Sequence, residues 1–319
     1  TPLLLLLACP PVGPDSDSQP SGSRFSMLTE PFGQAALLAA WSDGEVLRVV
    51  GGDLGGGAGV LLRYEPSIPS VCVEDDSVER ALWWIHGPSE GHWYAVGSQG
   101  IVLHHVDGET LREDVDTELT LFGVWAESAE RVWAVGGSAL GNQGQVWLRE
   151  GSAWILFAEL DSPVFKVWQG WFVGPGHAWR LQDGELVEQS PEGAPTLTTL
   201  RGRSAEEVFA VGGVGVLHSY SEGAWTALPA PFGQPLSGVW TAPEQPVWVA
   251  GSYGSVGVFD GQDWLVPADP LTDQHFHAVW KHGDEVIFVG GDLYDLGDNQ
   301  GVIGRYGPDE QVLTVQPCP

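Results

Sequence analysis

Val132-Trp133-Ala134-Val135-Gly136-Gly137 is the stretch on which the fold turns. It is a strand-length apolar run, rich in β-branched and aromatic residues and closed by two glycines. Outward from it lie three close copies: Trp93-Tyr94-Ala95-Val96-Gly97, Val208-Phe209-Ala210-Val211-Gly212-Gly213 and Val247-Trp248-Val249-Ala250-Gly251. Leu47-Arg48-Val49-Val50-Gly51-Gly52 and Val286-Ile287-Phe288-Val289-Gly290-Gly291 are looser copies, and Gly170-Trp171-Phe172-Val173-Gly174 is the weakest. Each follows a shorter apolar strand that usually ends in tryptophan: Trp41, Trp84, Trp125, Trp168, Trp240 and Trp280, with Leu200 in the fifth place. The spacings between these residues are 43, 41, 43, 32, 40 and 40. A period near forty with several short strands per unit predicts an all-β chain, a seven-bladed β-propeller.

The third unit shows the plan. Leu121–Trp125 reads as strand a, Arg131–Val135 as b, Gln145–Arg149 as c and Ala153–Phe157 as d. Asp107-Gly108, Asp183-Gly184, Glu222-Gly223 and Asp260-Gly261 read as hairpin turns before strand d. Strands b and c are apolar almost throughout, as expected where both faces of a blade pack on neighbours.

Composition agrees. The chain has 319 residues, 16 Trp and 44 Gly, with 13 Lys+Arg against 42 Asp+Glu, a net charge of −29. So many aromatics exclude a solvated acidic coil. The charge repels phosphate backbones, so nucleic acid is not an expected partner.

The chain opens with Leu3 to Leu7, then Ala8 and Cys9. That run is too short to span a bilayer and reads as the end of a signal-peptide core. Leu6-Leu7-Ala8-Cys9 resembles a bacterial lipobox, which implies a lipid on Cys9. The expected organisation is therefore a leader remnant over residues 1–8, a lipidated Cys9 with a flexible Pro/Ser/Gly/Asp-rich tether over 9–34, and one propeller domain over 35–319. With Cys9 acylated, Cys72 and Cys318 form an even pair in an oxidising compartment, so a disulfide between them is expected. Whether the Gln311–Val315 strand completes unit seven or closes the ring onto unit one is open at this stage.

The Gly-Val-Trp, Val-Trp-Ala-Val-Gly-Gly, Val-Leu-His, Gly-x-Trp order resembles tandem-repeat propeller lipoproteins of myxobacteria and related bacteria. The resemblance covers roughly residues 35–315. It implies a lipid-anchored propeller at the outer membrane or cell surface, and no shared activity.

Catalytic patterns are sparse. There is no His-Glu-x-x-His or Cys-x-x-Cys, and only 11 arginines are spread along the chain. No catalytic residue is assigned. His104 and His218 both follow Val-Leu in strand c and read as matching repeat positions packed between blades. His275 and His277 have the spacing of two ligands on one strand face, without an identifiable third. Most tryptophans read as core, and Trp83, Trp171 and Trp179 as the outliers able to stack on a sugar.

Loop length supplies the binding-site expectation. The b–c turns are tight in units two and five and expanded in one (Gly51–Gly59), three (Gly136–Gly144) and seven (Gly290–Gly301). In a closed ring these emerge on one face and units seven and one become neighbours, so they build one raised edge. That edge carries Asp53, Asp292, Tyr294, Asp295, Asp298 and Asn299. Asp292, Asp295 and Asp298 offer oxygen ligands suited to Ca²⁺, with a solvated acidic loop as the alternative. The expected function is a non-catalytic scaffold that binds a protein partner through this b–c face and requires no cofactor. The alternatives are a glycan-binding propeller, with or without calcium, and a polysaccharide hydrolase or lyase.

Overall fold

Every copy of the Val-Trp-Ala-Val-Gly run is the second strand of an antiparallel sheet in the computed structural model, which describes residues 22–318 except 34, 90, 114, 139, 293–299, 309 and 310. The sheets number seven, as the repeat count predicts. Blade one is Ala36–Ser42, Leu47–Gly52, Gly59–Tyr64 and Ser70–Val78, in the order a to d. Blade two is Leu82–Ser89, His92–Gly97, Val102–Val106 and Glu109–Glu113; blade three is Thr120–Ala126, Arg131–Gly137, Gly144–Glu150 and Ala153–Leu160. Blade four is Lys166–Trp168, Trp171–Gly174, His177–Gln182 and Glu185–Glu188; blade five is Leu197–Ser204, Glu207–Gly212, Val216–Ser221 and Ala224–Ala227. Blade six is Leu236–Trp240, Val247–Gly251, Val256–Phe259 and Trp264–Leu265. Blade seven takes His275–His282, Glu285–Gly291 and Gly301–Gly307 from the C-terminal end, and Arg24–Met27 from the other end is its outer strand.

That last strand corrects one boundary. Residues 24–27 fall inside the expected tether over 9–34, yet they pair with Gly304–Gly307. Their reason is an open edge: without them blade seven has three strands and an unpaired backbone row on strand c. The open question about the C-terminal strand is also answered. Thr314–Pro317 runs parallel to Ser70–Val73 as a fifth strand on blade one. The two chain ends thus cross the same seam in opposite directions. Cys72 and Cys318 are joined there by a disulfide, as expected, with Cα atoms 4.8 Å apart.

The repeat glycine has a steric cause. A Cβ at Gly290 would lie 1.8 Å from the His275 carbonyl oxygen, and one at Gly212 would lie 1.9 Å from that of Thr196. Gly51, Gly97, Gly136, Gly174 and Gly251 meet the same obstacle, the carbonyl that opens strand a of their own blade. Backbone atoms cannot swing aside, so each copy of the motif ends in glycine. The turns before strand d have a comparable logic. Asp107-Gly108, Asp183-Gly184 and Glu222-Gly223 have positive φ at both residues, the type I′ geometry that matches strand twist. Asp260-Gly261 differs: Asp260 Oδ1 accepts from the Gln262 and Asp263 amides, both at 2.8 Å.

Strand register revises two alignments. Trp41, Trp125, Trp168, Trp240 and Trp280 occupy one innermost position, each opposite the second residue of a strand b or its equivalent. In blade two that position is His86, opposite Tyr94, and not Trp84; in blade five it is Arg201, opposite Phe209, and not Leu200. The sequence spacing hid this because the loops before strand a differ in length. Similarly, His104 pairs with Tyr94 whereas His218 pairs with Ala210, one step along the repeat. A one-residue shift in a strand reverses the face, so the two histidines are not equivalent.

Six of the seven strands a carry a β-bulge near their start, for instance between Leu121 and Gly123 and between Phe276 and Ala278. Bulges leave ladder carbonyls unpaired, and neighbouring blades satisfy them here. His277 Nδ1 donates to Leu38 O at 2.5 Å, Lys166 Nζ to Phe122 O at 2.7 Å and Thr199 Oγ1 to Ser237 O at 2.5 Å. These bonds stitch blade seven to one, four to three and five to six. At the closing seam, Tyr64 donates to Glu285 at 2.7 Å and Glu285 pairs with Arg305 at 3.2 Å, all buried.

Candidate functional site

An open cleft of about 920 Å³ lies on the face that carries the a–b and c–d turns, between blades six and seven. Its floor is aromatic and aliphatic: Trp248, Val258, Val286 and Tyr306. The N-terminal strand builds this floor, because Phe25 packs on Tyr306 (4.8 Å between centroids) and on Trp248 (6.3 Å). Trp264 forms one wall, stacked on Phe259 with its Nε1 donating to Pro229 O at 2.9 Å.

Charges ring the opening. Glu244, Asp260, Asp263 and Asp284 face Arg203 and Lys281. Asp260 is held below the usual carboxylate range by the amides of Asp263 and Gln262, so it stays ionised. Gln245 fixes the two cations: its carbonyl accepts from Arg203 Nη2 at 2.9 Å, and its Oε1 accepts from Lys281 Nζ at 3.0 Å. Glu244 beside it has φ of +61°, a left-handed conformation that aims the loop tip over the cleft. The arrangement offers an apolar trench with a predominantly acidic rim, suited to an extended chain carrying apolar and basic side chains.

The opposite face carries the b–c turns. Their lengths follow the sequence expectation, with expanded loops in blades one, three and seven. Asp53 is described, and its carboxylate is engaged within its own loop, accepting the Gly55 amide at 2.8 Å. Asp292 is described at the end of strand b and has partners of its own. Tyr294, Asp295, Asp298 and Asn299 lie outside the described residues, and so does Cys9. Among the described residues no group of three or more His, Cys, Asp or Glu is placed to hold a metal ion. Leu140, Val214 and Tyr253, at three b–c turns, are exposed apolar side chains on this face.

His275 and His277 do not converge. His277 is the bulged residue and bonds blade one, while His275 packs on Tyr253 at 4.9 Å. Burial lowers the pKa of both, His277 to about 4 with the Lys166 charge assisting. Trp171 and Trp179 are buried and belong to the core, in place of the surface role expected of them. Trp83 is partly exposed, with its Nε1 donating to Ser98 Oγ at 3.1 Å.

Sequence reading missed a cluster between blades two and three. His104 stacks on Tyr94 at 4.2 Å, its Nδ1 meets Glu113 Oε1 at 2.8 Å and its Nε2 meets His92 Nε2 at 2.8 Å. Arg149 grips Glu113 with Nε at 2.9 Å and Nη2 at 2.8 Å, and Trp154 Nε1 donates to it at 2.7 Å. Burial pushes the Glu113 carboxyl up, but these donors outweigh it and hold the group below its usual range. Burial lowers both imidazoles. With its oxygens saturated, Glu113 clasps two blades together.

No protein-family model matches the chain, and no curated protein matches it. Solved structures do. YCF48 bound to D1 peptide superposes with a TM-score of 0.66 at 14% identity, over 91% of this chain and 98% of that one. YCF48 from Cyanidioschyzon merolae gives 0.65 at 12% identity, over 90% and 99%, and the WD40 β-propeller domain of Doa1 gives 0.63 at 11%, over 88% and 97%. The likeness is one of fold. Among the described residues no helix is long and apolar enough to cross a membrane.

Proposed function

We propose that this chain is a non-catalytic recognition propeller that binds a protein partner, held at a bacterial outer membrane or cell surface by lipid on Cys9. The observation that carries the reading is the cleft between blades six and seven. It is large enough for several residues of an extended peptide, its floor is aromatic, and its rim is acidic. A propeller similar in fold is known with a bound peptide, which makes this mode of use reasonable for the architecture. The disulfide suits an oxidising compartment such as the one a lipoprotein enters.

A second reading keeps the expected b–c face as the docking surface, favoured by the exposed Leu140, Val214 and Tyr253. Affinity capture of the full-length lipidated chain from solubilised native membranes, followed by mass spectrometry, tests both. A stoichiometric partner is expected with the native chain and with L140D/V214D, and its loss with W264A/D284K, which removes the aromatic wall and reverses a rim charge. Loss in L140D/V214D alone moves the site to the b–c face. Absence of any stoichiometric partner overturns the reading, and binding on a glycan panel, with and without chelator, then supports the sugar-binding alternative.

A further inference from the structure

Where five blades place an innermost tryptophan, blade five places Arg201 and blade two places His86. Two residues earlier, at a position that is alanine, glycine or threonine in five blades, blade four has Lys166 and blade two has Trp84. These substitutions put two cations into the wall of the central channel. The void they line holds about 20 Å³, and its other walls include Trp125, Trp168 and Trp280, with no carboxylate among them.

That isolation is unusual in this chain. Arg48, Arg63, Arg112, Arg131, Arg149, Arg180, Arg203 and Arg305 each meet an acidic side chain. Arg201 meets indole faces, Trp280 at 4.3 Å and Trp168 at 5.9 Å. Its Nε is sealed from solvent without an acceptor. Lys166 Nζ has one bond, to Phe122 O at 2.7 Å, and sits 4.1 Å from the Trp84 ring. Indole faces attract a cation, but they supply no lone pair to its N–H groups. His86 Nδ1 accepts the Ala126 amide at 3.2 Å, so the ring proton is on Nε2, another donor. The channel therefore combines cationic donors, an imidazole N–H and no anionic acceptor. A half-buried guanidinium whose Nε is sealed without an acceptor is costly, and a counter-ion relieves the cost.

We propose that the central channel is a binding site for one small monoatomic anion of the size of chloride, held by the Arg201 guanidinium with His86 Nε2–H, and with Lys166 as a second positive wall. The volume sets the class of ligand: it has room for one water-sized particle, not for a carboxylate or phosphate. Burial depresses the Lys166 ammonium to about 7 and the Arg201 guanidinium to about 10, as expected for cations without a resident counter-charge. A bound anion would raise both. Such an ion ties blades two, four and five at the axis.

The test compares thermal unfolding of the full chain in sodium chloride and in sodium gluconate at equal ionic strength, gluconate being too large to enter. A saturable, chloride-specific rise is expected, about 2 °C in Tm for each tenfold excess over Kd. R201M replaces the guanidinium by an apolar side chain of similar length and is expected to abolish the chloride response, while K281M, a surface cation of the cleft, retains it. Crystals grown in sodium bromide give an independent reading: an anomalous peak beside Arg201 is expected. A Tm indifferent to chloride together with a water in place of the bromide peak overturns the proposal, as does a chloride response unchanged in R201M.

Discussion

Removing the Cys72–Cys318 bond should lower stability chiefly through the unfolded chain. The two cysteines are 246 residues apart, so the bond closes nearly the whole molecule into one loop. The chain-entropy relation gives about 5 kcal/mol for a loop of that length. In the folded state the bond anchors only Thr314–Pro317, the fifth strand of blade one, which is also held by the Cys318 amide bonding Val73 O at 3.0 Å. The ring itself is closed independently by Arg24–Met27 on blade seven. The C72S/C318S double variant should therefore fold to the same propeller and unfold earlier. With roughly 2.1 cal/mol/K of unfolding entropy per residue, 5 kcal/mol corresponds to a Tm about 8 °C lower. Urea denaturation followed by tryptophan fluorescence distinguishes the mechanisms. An entropic loop effect predicts a lower midpoint with a steeper m-value, because the unlinked unfolded chain exposes more surface. A midpoint within error of the disulfide-bonded protein would refute the reasoning. So would a lower midpoint with unchanged m, which would place the effect in local folded contacts.

Two further outcomes follow from the packing and the buried imidazoles. G212A, whose Cβ would lie 1.9 Å from Thr196 O, should cost about 3 kcal/mol in the same denaturation assay, because the obstacle is strand backbone and cannot swing aside; a loss below about 1 kcal/mol would contradict the steric account of the motif. Burial, with the charges of Arg201 and Lys166 adding to it, holds His86 at about 3 and His277 at about 4, below the usual 6.5. Their neutral forms are the folded ones, so this stability is complete above pH 6.5 and declines as pH falls towards 4 and then 3. At pH 4.5 each contributes a loss of order 2 kcal/mol, read as a falling urea midpoint between pH 7 and 4.5 that flattens in H86F.

Much of the fold was legible because it is written in backbone sterics. The glycine that ends each strand b is obligatory at all seven positions, so even the weak fourth copy, Trp171 to Gly174, kept it. Loop lengths on the b–c face were legible for the same reason, since the glycines bracket them. The cleft was not. Its parts come from the a–b turn of blade six, strand c of blade seven and Phe25 of the first strand, which the period does not connect. The pairing of Glu113 with Arg149 was hidden likewise, because it joins residues on different blades.

The sequence by itself determined the number of blades and the order of strands a, b and c within each. Period and glycine spacing are local or countable properties of the chain. Only the tertiary structure decided which residue of each strand a reaches the axis, that Arg24–Met27 rather than the C-terminal strand completes blade seven, and that Arg201 and Lys166 stand without a carboxylate. These depend on register and ring closure. A shift of one residue in a strand turns a side chain from one face to the other, and the seam joins residues from opposite ends of the chain.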